Sequence, residues 1–327
     1  MKSNVTMRDV AEIAGVSIAT VSRYLNGKNN HLSLKTAEKV KDAIKKLKYT
    51  PDEAARNLVT KKGNLIAVVV SDVNDYFSTE IFKGVSSALS KENYTAVLLD
   101  SDNNLKTELS ILNSISNQRM FAGIILQPLN TNVKDLEKNL FNDISTIIVD
   151  REIKNGIWSS VVTDNFLSSQ KACNYFKEQG LNKVIVITNQ VKGISTREQR
   201  LRGIKSVYGE NVKIICPGNN KIDYDKAYQE INDELDKEPK TLIFALKEKW
   251  LLEYLPRLSK DGTLKDNLSI QVTGFSDTNL NYIIQDQTKL IKQYPFNMGE
   301  NAAELLLKNL NYDNNLISKK IELPAEF

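Results

Sequence analysis

The chain holds one histidine, two cysteines and two tryptophans in 327 residues. Each scarcity excludes something. His31 lies in a polar loop, NGKNNH (26–31), so no Ser-His-Asp or Cys-His set can form in the rest of the chain. Cys173 and Cys216 sit apart, with no CxxC and no Cys/His cluster. That argues against a metal site and for a reducing cytoplasm, with both thiols read as small buried hydrophobes. No stretch approaches the ~18 apolar residues of a membrane span. MKSNVTMRDV has no apolar run after Lys2, so no signal peptide is expected. There is no GxxxxGK[ST] loop and no GxGxxG after a strand, and no cofactor is expected. Short internal repeats and low-complexity segments are absent too.

What is present is an uneven charge. Residues 1–62 carry 13 lysines and arginines against 6 acids, a balance of +7. The other 265 residues carry 31 against 34, a balance of −3. A basic front end on a mildly acidic body implies a nucleic-acid contact confined to the N-terminus. Charge alone leaves a solvated lysine-rich helix equally open.

The front end is helical in pattern. Thr6 can cap a helix running to Ala14. Gly15–Ser17 form a turn, and a second helix covers Ile18–Leu25. Ser33 precedes a third, whose Val40, Ile44 and Leu47 repeat at i, i+4 and i+7. Tyr49-Thr50-Pro51 breaks it. PDEAARNLVTKKG (51–63) then reads as a short helix, with Pro51 at its first position and Gly63 as its stop. Residues 7–26, MRDVAEIAGVSIATVSRYLN, fit a helix-turn-helix. Ala11 is small where two helices cross, Gly15 suits a turn needing positive φ, and Val16 and Val21 are apolar. The second helix of such a motif enters the major groove. Ser17, Thr20 and Ser22 can approach phosphates or bases without bulk, and Arg23 can bind a guanine through both its terminal nitrogens.

From Leu65 onward the pattern is strand and helix in alternation. LIAVVVS (65–71) is a near-continuous apolar run, as in a strand buried on both faces. Similar runs follow at 94–100, 123–127, 145–150, 160–164, 183–188, 213–216, 241–245 and 269–274, with amphipathic segments such as Glu80–Lys91 and Ser168–Gln179 between them. About nine or ten strands in some 260 residues predict two α/β lobes rather than one sheet.

DVAEIAGVSIATVSRYLNG resembles the signature of the LacI/GalR family of bacterial transcriptional regulators, and TPDEAARNL resembles that family's hinge. Further landmarks follow in order: SDVNDYF, VDR (149–151), DN (164–165), RLRG (200–203), GF (274–275) and MGENAAELLL (298–307). The similarity covers essentially the whole chain. It implies a small all-α helix-turn-helix domain (1–48), a hinge (49–62) and a two-lobed α/β effector domain (63–327) like the type I periplasmic binding proteins. The N-lobe is expected at about 63–162 plus 292–322, and the C-lobe at about 163–291 plus the C-terminal end. The implied partners are double-stranded operator DNA, a second copy of the chain and a small-molecule effector. Neither a membrane nor catalysis is implied. The resemblance puts Ile18 and Ala19 at the base-reading start of the second helix, with Arg23 further along. Thr6, Ser17, Thr20, Ser22 and Asn26 complete that surface. Leu58 matches the leucine that two subunits wedge into the minor groove, with Ala54 and Ala55 on the same helical face.

For the effector, the resemblance points to Phe77, Arg151, Asp164, Arg200, the 246–248 stretch and the 275–277 loop. Phe77 reads either as a ring that stacks on a sugar or base, or as a cover for the sheet end. Arg151 reads either as a ligand-binding fork or as a structural ion pair. Two places depart from the family. Ser276, before Asp277 in GFSD, stands where a sugar-binding carboxylate is usual. Lys247-Glu248 stands where Asn-Asp is common. An acid lost and a lysine gained predict a more positive cleft and an anionic effector, a sugar acid or a sugar phosphate, unless Lys247 turns to solvent. Repression of carbohydrate-utilisation genes, relieved by effector, is the implied behaviour. A catabolite-control-type regulator switched by a protein co-repressor stays open as an alternative. An α/β sugar-processing enzyme with a DNA-binding arm has little support in the residues.

Ile18 and Ala19 offer no side-chain hydrogen bonds. Base discrimination there rests on methyl contacts, on Arg23 and on the DNA bend that Leu58 imposes. Leu58→Ala is therefore expected to lower affinity for the specific operator more than for random DNA. Equal losses in fluorescence-anisotropy titrations on the two DNAs would rule out the wedge.

Overall fold

The computed structural model describes residues 5–25, 32–49, 63–117, 120–129, 133–140, 144–218, 221–238, 240–264, 269–278, 288–311 and 318–327. Asn26, His31 and the hinge residues Ala54, Ala55 and Leu58 lie outside them. The chain divides into two compact units, Met1–Lys62 and Gly63–Phe327.

In the first unit, α1 (Met7–Ala14) begins on a reciprocal cap. The Thr6 hydroxyl accepts from the Asp9 N–H, and the Asp9 carboxylate accepts from the Thr6 N–H at 2.7 Å. Gly15 ends the helix at φ 64°, the left-handed conformation that a side chain would strain. Then α2 (Ile18–Leu25) starts at Ser17, whose Oγ accepts from the Thr20 N–H at 3.2 Å. Ser33 caps α3 (Leu34–Leu47) in the same way, through the Thr36 N–H. Val10, Ala11, Ala14, Val21, Val40 and Ala43 make the core, with Val16, Ile44 and Leu47 packed partly buried at its edge.

The second unit has two sheets in which the strand ladders among the described residues are parallel, with one isolated antiparallel bridge between Lys292 and Glu326. The first half of the unit runs β1 (Leu65–Val70), α4 (Tyr76–Ser90), β2 (Thr95–Asp100), α5 (Leu105–Asn117), β3 (Phe121–Leu126), α6 (Val133–Asn139), β4 (Ser145–Val149) and β5 (Ser159–Thr163). The second half runs α7 (Asn165–Glu178), β6 (Lys183–Ile187), α8 (Ser195–Tyr208), β7 (Val212–Ile215), α9 (Tyr224–Leu235), β8 (Thr241–Ala245), α10 (Glu248–Lys260), β9 (Ile270–Ser276) and β10 (Ile291–Lys292). The chain closes with α11 (Pro295–Asn311) and β11 (Lys320–Leu323).

Strand order is β11-β5-β4-β3-β1-β2 in the N-lobe and β10-β9-β8-β6-β7 in the C-lobe. Each sheet is packed with apolar clusters on both faces, so its central strands are almost wholly buried. The chain crosses between lobes three times, at 163–165, 293–295 and 323–325. β10 and β11 flank two of these crossings. Neither shows as an apolar run, because β10 is two residues long and KIEL is a half-exposed edge.

The N-lobe depends on a close helix contact. A Cβ built on Gly84 of α4 would lie 1.9 Å from the Phe296 carbonyl oxygen, and one on Gly299 of α11 would lie 2.1 Å from that of Ile81. Both neighbours are backbone and cannot swing aside. Gly84→Ala is expected to destabilise the unit by about 1–3 kcal/mol through overpacking. Urea unfolding measures this, and an unchanged midpoint would show that the contact yields.

Candidate functional site

Two surfaces carry the residues singled out from the sequence. On the first unit, Ile18, Ala19 and Arg23 are exposed on α2, whereas Val21 is fully buried against α1 and α3. Ile18, at the helix start, is 48% accessible. Ser17 and Thr20 are partly engaged already, since their hydroxyls lie 2.9 Å apart in the cap of α2. Thr6 is likewise part of a cap, so it can meet DNA only as a helix terminus. Ser22 is half-buried.

The second surface is the cleft between the lobes, at the carboxyl ends of the strands. Ligands of open parallel sheets bind at such ends, because loops converge there. Arg200, on α8, is its most constrained group. The guanidinium is buried and stacks on the Phe275 ring, 3.6 Å from the centroid. Its Nε donates to Asn165 Oδ1 at 2.6 Å, Nη1 to the Leu246 carbonyl at 2.5 Å and Nη2 to Gln293 Oε1 at 2.7 Å. Burial, offset in part by Asp150, Asp277 and Asp75, brings its pKa down to about 10. Asn165 and Gln293 both belong to interlobe crossings.

Arg151, at the end of β4, is buried and donates from Nη1 to the Pro128 carbonyl at 2.8 Å. Its Nε is 3.6 Å from Asp150 Oδ2 and makes no hydrogen bond. Asp150 is held elsewhere, by the Gln127 amide at 3.0 Å. Gln127 is fixed in turn by Ser71 and Ser78, which donate to its carbonyl oxygen. Arg197, three residues before Arg200, donates from Nη1 to the Gln190 carbonyl at 2.7 Å. It was not evident from the sequence. Its signal was the spacing in TREQRLRG, which puts Arg197 and Arg200 on one face of a helix.

The remaining residues sort differently than expected. Lys247 is not the source of a positive cleft, because it pairs with Asp75 of the N-lobe at 2.9 Å. Burial opposes the charge of Asp75, but the Lys247 ammonium and the Phe77 N–H outweigh it and lower its pKa. Glu248 is buried. One of its oxygens accepts from the Ser276 hydroxyl, the Asp277 N–H and both the N–H and hydroxyl of Thr278, at 2.8–3.0 Å. Ser276 therefore serves the turn. Asp277 accepts from the Gln293 amide at 2.5 Å. Asp164 caps α7, hydrogen-bonded to Ser168, and its neighbour Asn165 is the residue that meets Arg200. Phe77 packs in the N-lobe core, 5% exposed, while Tyr76 beside it is 45% exposed and within electrostatic reach of Glu248. Beside the Asp75–Lys247 pair, a second bridge joins the lobes. The Glu152 N–H donates to Ser195 Oγ at 2.8 Å, and its carboxylate accepts from Gln199.

Among the described residues no three His, Cys, Asp or Glu side chains are grouped to hold a metal, and no helix is long and apolar enough to cross a membrane. Comparison with known proteins adds the following. Residues 6–52 match the family described as bacterial regulatory proteins, lacI family, and residues 66–314 match a periplasmic binding protein domain. The chain is 30% identical to the HTH-type transcriptional regulator KdgR of Bacillus subtilis (strain 168), over 98% of this chain and 95% of that protein. Among solved structures, a LacI transcriptional regulator from Lactobacillus brevis is 36% identical, with a TM-score of 0.75, over 80% of this chain and 99% of that one. The lac repressor dimer bound to operator and the anti-inducer ONPF shares the fold at 20% identity, with a TM-score of 0.82, over 99% of this chain and 97% of that one.

One carboxyl in the cleft has a measurable signature. Burial, then the charges of Glu248 and Asp75, push the Asp277 carboxyl up to about 7 from an ordinary 3.8, and Arg200 and Lys247 only partly oppose this. The folded chain thus holds a proton that the unfolded chain releases between about pH 4 and 7, so Asp277 destabilises the fold increasingly as pH rises through that window. Asp277→Asn is expected to be more stable than wild type at pH 8, with the difference shrinking as pH falls through 7 and vanishing only toward pH 4. Urea melts at pH 8 and pH 4 measure this, and a pH-independent difference would contradict it.

Proposed function

The chain belongs to the lacI family of bacterial regulatory proteins, a DNA-binding transcriptional regulator, and from that premise we propose that it represses carbohydrate-utilisation genes. It grips a palindromic operator as a dimer in the cytoplasm and releases it when a small acidic sugar derivative, a sugar acid or a sugar phosphate, closes the cleft. The helix α2, with Ile18, Ala19 and Arg23 exposed on a well-packed three-helix core, supports the operator contact. The lac repressor structure described above, a dimer on its operator, supplies the template for the assembly.

The observation that carries the acidic effector is the set of partners chosen by the cleft arginines. Arg151, Arg197 and Arg200 all donate to neutral carbonyl or amide oxygens. The acids nearby take their hydrogen bonds from other donors, Asp75 from Lys247, Asp150 from Gln127, Glu248 from the 276–278 turn and Asp277 from Gln293, although Asp150 Oδ2 also lies 3.6 Å from Arg151 Nε. Burial and the charges of Glu248 and Asp75 push Asp277 up to about 7, which lessens the negative charge near these arginines around neutral pH. A carboxylate or phosphate is the ligand group that guanidinium N–H donors match best. The same employment of every acid in packing argues for a binding site rather than an enzyme.

Closure by effector would act on a paired hinge, and operator affinity should fall steeply with salt. Calorimetric titration of the full chain with D-gluconate, D-galacturonate and D-glucose 6-phosphate is expected to show binding at least roughly tenfold tighter than D-glucose, from the added charge-assisted bonds. Tight binding of the neutral hexose with weak binding of the acids would overturn the reading.

A further inference from the structure

The three cleft arginines differ in how much of each is already committed. Arg200 donates through all three nitrogens and is stacked on a ring. It ties the crossings at Asn165 and Gln293 to the end of β8, so it is largely a positioning group. Arg197 and Arg151 each make a single hydrogen bond, both to a backbone carbonyl. The two belong to opposite lobes, Arg197 to α8 and Arg151 to the end of β4. The segments that carry them meet where the Glu152 N–H donates to Ser195 Oγ at 2.8 Å. Arg197 is held down to about 10 first by burial, then by the charges of Arg151 and Arg200, with Asp150 and Asp75 opposing. Arg197 is also accessible, being half-buried where Arg200 is fully buried. Arg151 is buried, and its Nε, 3.6 Å from Asp150 Oδ2, makes no hydrogen bond.

We propose that Arg197 selects the effector by charge: with Arg151 it takes the ligand's carboxylate or phosphate between the lobes, so that one anion is held from both sides of the cleft. This rests on the acidic-effector reading above. A neutral analogue that fits the same space gains no ion pair and favours closure less. Charge recognition and closure are then one event, because the anion is bound only where both lobes contribute. The bridges Asp75–Lys247 and Glu152–Ser195 already join the two lobes, at 2.9 and 2.8 Å.

The test uses the full chain, with D-gluconate, D-galacturonate, D-glucose 6-phosphate, inorganic phosphate and D-glucose as probes. Wild type is compared with Arg197→Gln, Arg197→Lys and Arg202→Gln. Arg202 is the control, since it is exposed and lies over the Phe166 ring at 5.1 Å. An acid that binds wild type should bind Arg197→Gln roughly 10- to 100-fold more weakly, Arg197→Lys in between and Arg202→Gln unchanged, while D-glucose is unaffected by Arg197→Gln. Circular dichroism establishes that each variant is folded. Equal affinity of an acid for wild type and Arg197→Gln overturns the role of Arg197 and leaves the acidic effector standing. Binding of D-glucose alone overturns both, as does a failure of every anion, including inorganic phosphate at tens of millimolar, to bind wild type.

Discussion

A guanidinium taken out of water must find acceptors for its donors, or the fold that buries it is lost. Arg200 meets that demand with Asn165, Leu246, Gln293 and the face of Phe275. Those four come from the first interlobe crossing, the end of β8, the second crossing and the end of β9. No single element of the C-lobe could supply them. The position of Arg200 therefore fixes how the two crossings leave their sheets, and with them where Asp277 and the 276–278 turn sit. The rest of the cleft is arranged around a charge that has no carboxylate of its own.

From that constraint follows the division of labour among the acids. Asp75, Asp150 and Glu248 each have donors of their own: an ammonium, an amide, and a turn that points four donors at one oxygen. Asp277 has a single amide and two acidic neighbours, and its affinity for a proton rises accordingly. The cleft is thus neither a neutral sugar pocket nor a bare cationic one. It is a closed polar network with donors left over on Arg151 and Arg197, and those two stand on different lobes. A ligand that uses both must hold the lobes together.

Local patterns carried most of the fold. The buried parallel strands read as apolar runs, and Gly15 read as a turn because no other residue takes φ 64° cheaply. Caps at Thr6, Ser17 and Ser33 read from their hydroxyls. β10 and β11 did not, because edge strands of two and four residues leave no periodicity to detect. In the site, Arg151 and Arg200 were singled out by the family landmarks VDR and RLRG that contain them. Phe77 and Tyr76 could not be told apart, since both begin α4 and only the turn of the helix decides which ring enters the core. Asp164 and Asn165 posed the same problem across a helix cap. Lys247 was read as adding positive charge to the cleft unless it turned to solvent; it pairs instead with Asp75, which lies 172 residues away, and spacing cannot reveal that pairing.

The most direct measurement is a crystal structure of the full chain with a bound sugar acid. The acidic group should lie within hydrogen-bond distance of both Arg151 and Arg197, with Arg200 still on Asn165, Leu246 and Gln293. An acidic group turned to solvent, with both arginines unchanged on their backbone carbonyls, would contradict the claim that this cleft is built to be closed by an anion.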